Sequence, residues 1–259
     1  GVAYMVNNLT SISGASLSSE VRFAQANVPV PTSMADWTIT TVATVDYPYP
    51  DVNAPLGDWP EGTGLFLSFD RFSDQRVALA WYDQYEGAIY FSYQETADAS
   101  FVTPIRVLGG EDGQLPRGLF VQMVLDQEDP DLEHFLYQDG LQQSLWYATY
   151  NIGTAETVET LLDDGFREDD GANQAGLPMP VQHYFGADSR IIVASHKVFA
   201  SWQDSTTQEL YFGQLDRSEA DPQWDIQILR GGEEPYEGSF GFFLDMSIKG
   251  TKLYLSTYA

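Results

Sequence analysis

Apolar and aromatic residues run through this chain in short bursts, each ended by Gly, Asp or Pro. The stretch VALAWYDQYEGAIYFSY (77–93) joins two such bursts through a polar turn, and the same form returns twice, in FLYQDGLQQSLWYATY (135–150) and FASWQDSTTQELYFGQL (199–215). Trp81, Tyr137 and Trp202 occupy one repeated position, and Asp83, Asp139 and Asp204 another. Four turn residues follow each Asp, and a second aromatic run begins. The flanks repeat as well. VTPIRVL (102–108), ETVETLL (156–162) and WDIQIL (224–229) follow the pairs, while GLFLSF (64–69), GLFVQMVL (118–125) and a less regular version within 181–194 precede them. Each unit therefore reads as four strands, A to D, rich in Val, Ile and aromatics and bounded by turn formers. No segment has the period of an amphipathic helix.

Four-stranded units repeating every ~50–65 residues are the pattern of a β-propeller. The C-terminal segment 241–259 supplies strands A and B; EVRFAQA (20–26) and WTITTV (37–42) supply C and D. Joining them would close a blade from both chain ends and remove exposed sheet edges. The expectation is an all-β, single domain over 1–259, a small propeller of four blades. VAYMV (2–6) is left over as an added strand or a second B strand, so five blades is the second reading and a piece of a larger ring the third.

The repeat VALAWYDQYEGAIYFSYQ…TPIRVL resembles those of sialidase-like, BNR-type propellers, which run apolar-Ala-Trp-x-Asp, then Ile-Tyr-Tyr, then apolar-x-Val. The resemblance spans most of the chain and implies the blade fold; similar repeats occur in secreted bacterial propellers. The family's Asp-box, Ser-x-Asp-x-Gly-x-x-Trp, is nowhere intact. SEADPQW (218–224) and SMADW (33–37) are eroded relatives in the C–D loops. The three arginines that a sialidase converges on a carboxylate find no match, since Arg71, Arg76, Arg106, Arg22 and Arg217 fall at unlike blade positions. No catalytic residue carries over.

Composition narrows the partners. With 38 Asp and Glu against 12 Lys and Arg, the net charge is −26. Nucleic acid and anionic membranes are bound through Lys and Arg neutralising phosphate, and the nine Arg and three Lys read as scattered, so neither partner is expected. The chain has no Cys, which excludes disulfides and thiolate chemistry. No apolar run of about 18 residues marks a membrane span, and the opening GVAYMVNN does not read as a signal peptide. An extracellular or periplasmic location is expected from the resemblance.

Candidate chemistry lies in the loops. B–C and D–A loops of a propeller emerge on one face, where Asp83, Asp139 and Asp204 fall beside the aromatics Trp81, Tyr137 and Trp202. These could bind a ligand, or could cap turns and fill the space between blades. Trp59 and Tyr236, with Tyr47 and Tyr49, fall in D–A connections, and the Pro-rich segment 46–63 is long enough to be functional. In DDGFREDDGANQ (163–174), Asp163, Asp164, Asp169 and Asp170 supply the oxygens calcium favours, without EF-hand spacing. His134, His183 and His196 lack a zinc spacing, and no phosphate loop or Gly-x-Ser-x-Gly elbow occurs. The leading expectation is a secreted, non-catalytic module that binds a glycan or protein on this face. A glycoside hydrolase with loop carboxylates is the alternative, and an acidic scaffold for a basic partner the third.

Overall fold

The computed structural model describes residues 1–8, 17–47, 62–110, 117–172, 178–230 and 240–258. The chain is all-β and built from antiparallel four-stranded sheets, the blades of a β-propeller. It divides into two compact units, Gly1–Val121 and Gln122–Ala259.

In the first unit, β1 (Val2–Asn8), β2 (Leu17–Ala26) and β3 (Trp37–Tyr47) form a three-stranded sheet in that order. A short 3-10 turn, Met34–Asp36, sits in the β2–β3 loop that holds one eroded Asp-box. There Asp36 Oδ2 accepts the backbone N–H groups of Thr32 and Ser33 at 2.8 and 2.9 Å. Then β4 (Thr63–Arg71), β5 (Val77–Asp83), β6 (Ala88–Tyr93) and β7 (Ile105–Gly109) form a complete A–B–C–D blade. Every residue of β5 is buried. A strand covered on both faces reads as an unbroken apolar run, as VALAWY does. Val21, Phe23 and Val42 of the first sheet pack against Val77, Leu79 and Trp81 of the second, so the core lies between blades.

β8 (Arg117–Leu125) begins in the first unit and ends in the second, where β9 (Leu132–Asp139), β10 (Leu145–Asn151) and β11 (Glu156–Asp163) complete its blade. A hairpin of β12 (Phe166–Ala172) and β13 (Pro178–Gln182) follows. Next comes the blade β14 (Phe185–Ala194), β15 (Lys197–Asp204), β16 (Glu209–Asp216) and β17 (Trp224–Arg230), then the pair β18 (Phe242–Lys249) and β19 (Lys252–Tyr258). The second core is again between blades: Leu136, Leu145 and Tyr147 meet Val198, Trp202 and Tyr211.

Three sequence expectations change. Val2–Asn8 pairs with β2 along its whole length and takes the B position, so the described strands fall into five blade sheets rather than four. For the same reason β18–β19 and β2–β3 lie in separate sheets among the described residues, where a shared blade was expected. The edge of β2 that β19 would have needed is already hydrogen-bonded to β1. The hairpin β12–β13 was read as loop, because its turn-rich sequence carries no apolar alternation.

The A strands share a strained entry. Gly64, Gly118 and Gly241 have φ of +94°, +119° and +98°, and two residues later Phe66, Phe120 and Phe243 have φ of 51°, 55° and 51°. The bulge lets Phe66 and Phe120 meet with ring centroids 4.3 Å apart. At Gly118 an added Cβ would stand 2.5 Å from Cγ1 of Ile89. Gly118→Ala is therefore expected to cost about 1–3 kcal/mol from overpacking, beyond its left-handed strain. Gly250→Ala, at φ +61° with open space around it, should lose only the backbone part, about 1 kcal/mol. Urea midpoints of the two variants compare them directly.

Candidate functional site

Each B–C turn opens on an aspartate and is built around it. Asp83 Oδ1 accepts the N–H of Glu86 at 2.9 Å. Asp139 Oδ1 accepts those of Leu141 and Gln142 at 2.9 and 3.1 Å. Asp204 Oδ1 accepts those of Thr206 and Thr207 at 2.8 and 3.2 Å. The three are only 2%, 1% and 0% exposed. As a set they are turn caps. The reason is local: the turn leaves N–H groups pointing inward, and a short acceptor at its first position satisfies them.

The repeated aromatics are likewise turned inward. Trp81, Tyr137 and Trp202 are 1%, 0% and 0% exposed. Each pairs across the B–C ladder with Tyr90, Trp146 or Tyr211. Trp81 stacks on Tyr90, and Trp202 on Tyr211, with centroids 6.1 and 5.7 Å apart. Sugar platforms need an exposed ring face, which these rings give to neighbouring blades instead. Trp59 and Tyr236 lie outside the described residues, as do the side chains of Tyr47 and Tyr49.

What distinguishes the blades is what covers the tyrosine. Tyr90 donates to Glu86 Oε2 at 2.5 Å and Tyr211 to Glu209 Oε2 at 3.1 Å; in the β8–β11 blade the matching residue is Trp146, and its B-strand partner Tyr137 donates to Glu159 Oε1. In the second unit this place is filled. Arg167, carried in by β12, lies 4.5 Å above the Phe185 ring and 5.2 Å from that of Tyr211. Its guanidinium forks onto Asp163 at 3.1 and 2.8 Å. Burial opposes that charge, but the bond and charge of Asp163 together with the contribution of Tyr211 outweigh it and push the guanidinium pKa up. Tyr211 is pushed up to about 12, chiefly by burial. Beneath them His183 Nδ1 meets Asp204 Oδ2 at 2.6 Å, both groups buried.

Two of the four residues expected to hold calcium are engaged here. The carboxylate of Asp163 is neutralised by the chain's own Arg167, and Asp164 Oδ1 caps its own turn through the N–H of Phe166 at 2.9 Å. The side chains of Asp169 and Asp170 lie outside the described residues, their backbone being part of β12. Among the described residues no three His, Asp or Glu side chains gather to hold a metal.

In the first unit no described residue fills the corresponding place. A cavity of about 240 Å³ lies between β3 and the β5–β6 turn, lined by Val42, Thr44, Thr63, Trp81, Asp83, Glu86, Tyr90 and Pro104 among others. Trp81 Nε1 donates to Thr63 Oγ1 at 2.9 Å, which fixes the indole as the cavity wall. Glu86 is the accessible acid, its side chain 43% exposed. Tyr90 and, at 4.0 Å, Arg106 both approach its Oε2. Oε1 is thereby left to a ligand. Burial, and then the bond to Glu86, push the Tyr90 phenol up, so it serves Glu86 as a hydrogen-bond donor. Of the predicted residues this cavity gathers Trp81 and Asp83; Glu86, Tyr90 and Thr63 were missed. The signal was present in DQYEGAIY, where a Glu stands four residues before a Tyr across a tight turn.

No family model matches the chain, and no curated protein matches it. Among solved structures it is similar to a mutant α-L-arabinofuranosidase from Fusarium graminearum in complex with an iminosugar inhibitor. That match has 9% identity and a TM-score of 0.43, over 74% of this chain and 60% of that one. It is also similar to the GH93 α-L-arabinofuranosidase of Fusarium graminearum with arabinobiose, at 8% identity and a TM-score of 0.44, over 70% of this chain and 52% of that one. The chain thus spans only about half to three-fifths of the length of these enzymes. The resemblance to sialidase-like propellers holds at the level of a β-propeller. The expectation of a non-catalytic binding module is corrected at its repeated aromatics: Trp81, Tyr137 and Trp202, which were to meet the ligand, are buried.

Proposed function

We propose that the chain is a glycoside hydrolase acting through the cavity beside the β5–β6 turn, with Glu86 and Asp83 as its carboxylates. The observation that carries this reading is that two acids three residues apart line one cavity with an aromatic wall. Glycosidic bonds are hydrolysed between a pair of carboxyl groups. Asp83 Oδ1 holds the backbone N–H of Glu86, so one tight turn fixes both acids. Tyr90 anchors Glu86 Oε2 and aims Oε1 at the reacting sugar. Glu86 is the nucleophile or water-activating base, and Asp83 the second acid. Pro104 presents apolar surface to the ring, and the buried Trp81 backs the cavity wall. The cavity is smaller than the usual small-molecule pocket of about 300–1,000 Å³, which suits the end of a glycan chain and release of a terminal residue.

The test is product release from a panel of neutral oligosaccharides, arabino-oligosaccharides included, followed by chromatography. Release of single terminal sugars is the expected result, and NMR of the first-formed anomer then reads the stereochemical outcome. No release from any member, at protein concentrations that would reveal slow turnover, sinks the proposal for the glycans tried.

A further inference from the structure

The chain has only three lysines, Lys197, Lys249 and Lys252, and the tertiary structure brings them to one place in the second unit. A cavity of about 360 Å³ opens between the β14–β15 turn, the start of the β16–β17 loop and the β18–β19 hairpin. Lys197 and Lys252 line it, and Lys249 pairs with Lys252 across the hairpin. Asp216, also in the lining, lies 3.6 Å from Lys197 and answers only one of these charges. Sequence order suggested scattered basic residues; here all of one type gather around one opening. The chain as a whole carries −26 and repels anions, whereas in this lining two lysines face one aspartate. Like charges directly opposite on a two-stranded ladder are unfavourable, and an anion in the cavity beside Lys252 reduces that cost.

The remaining lining specifies more than charge. Ser195, Ser218 and Thr251 offer hydroxyls, while Phe199, Ile248 and Leu253 offer apolar surface. The volume lies in the usual range of small-molecule pockets, about 300–1,000 Å³. A molecule that answers all three features has a carboxylate, hydroxyl groups and an apolar ring face. We propose that this cavity binds a monosaccharide-sized carboxylic acid of the uronic acid class, its carboxylate held by Lys197 and Lys252. Lysine acts as a mobile point charge and needs no fixed fork geometry. The site lies in the other unit from the carboxylate cavity and uses none of its residues, so it stands or falls apart from the hydrolase reading.

The test is titration calorimetry at low ionic strength with D-glucuronate and D-galacturonate. D-Glucose serves as the neutral control and inorganic phosphate as the bare anion. The expected result is saturable uronate binding that weakens with salt and is absent for glucose. Lys252→Gln and Lys197→Gln should each weaken it about tenfold, as loss of a charged hydrogen bond does. Both lysines are at the surface, so thermal unfolding should match the parent. No uronate binding overturns the proposal. So does binding unchanged by both substitutions, and phosphate binding as tight as uronate reduces the site to a plain anion site and overturns the assigned class.

Discussion

Arg217→Met is expected to lower stability by about 3 kcal/mol, the lower end of what breaking a buried ion pair costs. Arg217 Nη2 lies 2.5 Å from Asp126 Oδ2, with side chains 22% and 2% exposed. Asp126 also accepts the N–H of Glu128 at 2.9 Å, and His134 Nε2 lies 3.4 Å from its Oδ2. Methionine keeps the bulk of the arginine stem but leaves the carboxylate buried without its cation. A double variant with Asp126→Asn as well should recover part of the loss, because the uncompensated charge is then gone. Denaturant midpoints at pH 7 measure both. A single variant as stable as the parent would show that the pair contributes nothing.

The same cluster sets the acid limb of stability. Burial pushes Asp126 up, but the bonds from His134, Glu128 and Arg217 outweigh it and hold the carboxyl well below the usual range. A group lowered on folding contributes stability above its unfolded pKa of about 3.9, and loses it as pH falls toward the folded value. His134 is held down by burial. Its unfolded form therefore takes up protons below about pH 6.5 while the folded form stays neutral, so stability begins to decline there. The neutral ring donates from Nε2 to Asp126 and accepts at Nδ1 from the Tyr147 hydroxyl at 2.6 Å. Unfolding midpoints from pH 7 to 3 should fall in two stages, and His134→Gln should flatten the first.

Glu86→Gln should reduce glycan hydrolysis by about 10²–10⁴-fold, the usual worth of a positioned acid or base. Glutamine keeps the shape and an oxygen for Tyr90, so the fold should be unchanged. The loss should fall on kcat more than on KM, because the amide still occupies the same part of the cavity. Tyr90→Phe should cost less, since it frees Glu86 Oε2 without removing the acid. If hydrolysis is present and Glu86→Gln retains it, the chemistry belongs to another pair of carboxylates.

The blade is legible in the sequence because its B strand is buried on both faces. That makes VALAWY an unbroken apolar run and FASWQD one interrupted only by buried polar groups, and the B–C turn demands an Asp at its head each time. The number of sheets was less legible. Val2–Asn8 is a short run without its own turn signature, and only its pairing with β2 shows that it fills the B position. The hairpin β12–β13 was hidden because turn formers dominate its sequence. Arg167, which closes one blade's turn and leaves another's open, could not be found by local pattern, since its partners Phe185 and Tyr211 lie far along the chain.

By itself, then, the sequence determined the all-β class, the strand order within each unit and the place of the capping aspartates. Those follow from short apolar runs bounded by turn formers and from local hydrogen bonding, which act between near neighbours. Only the tertiary structure decided which copy of the repeat keeps an accessible acid and where the three lysines meet. Both depend on what neighbouring blades and hairpins lay over a turn, and such long-range contacts leave no spacing in the chain to read.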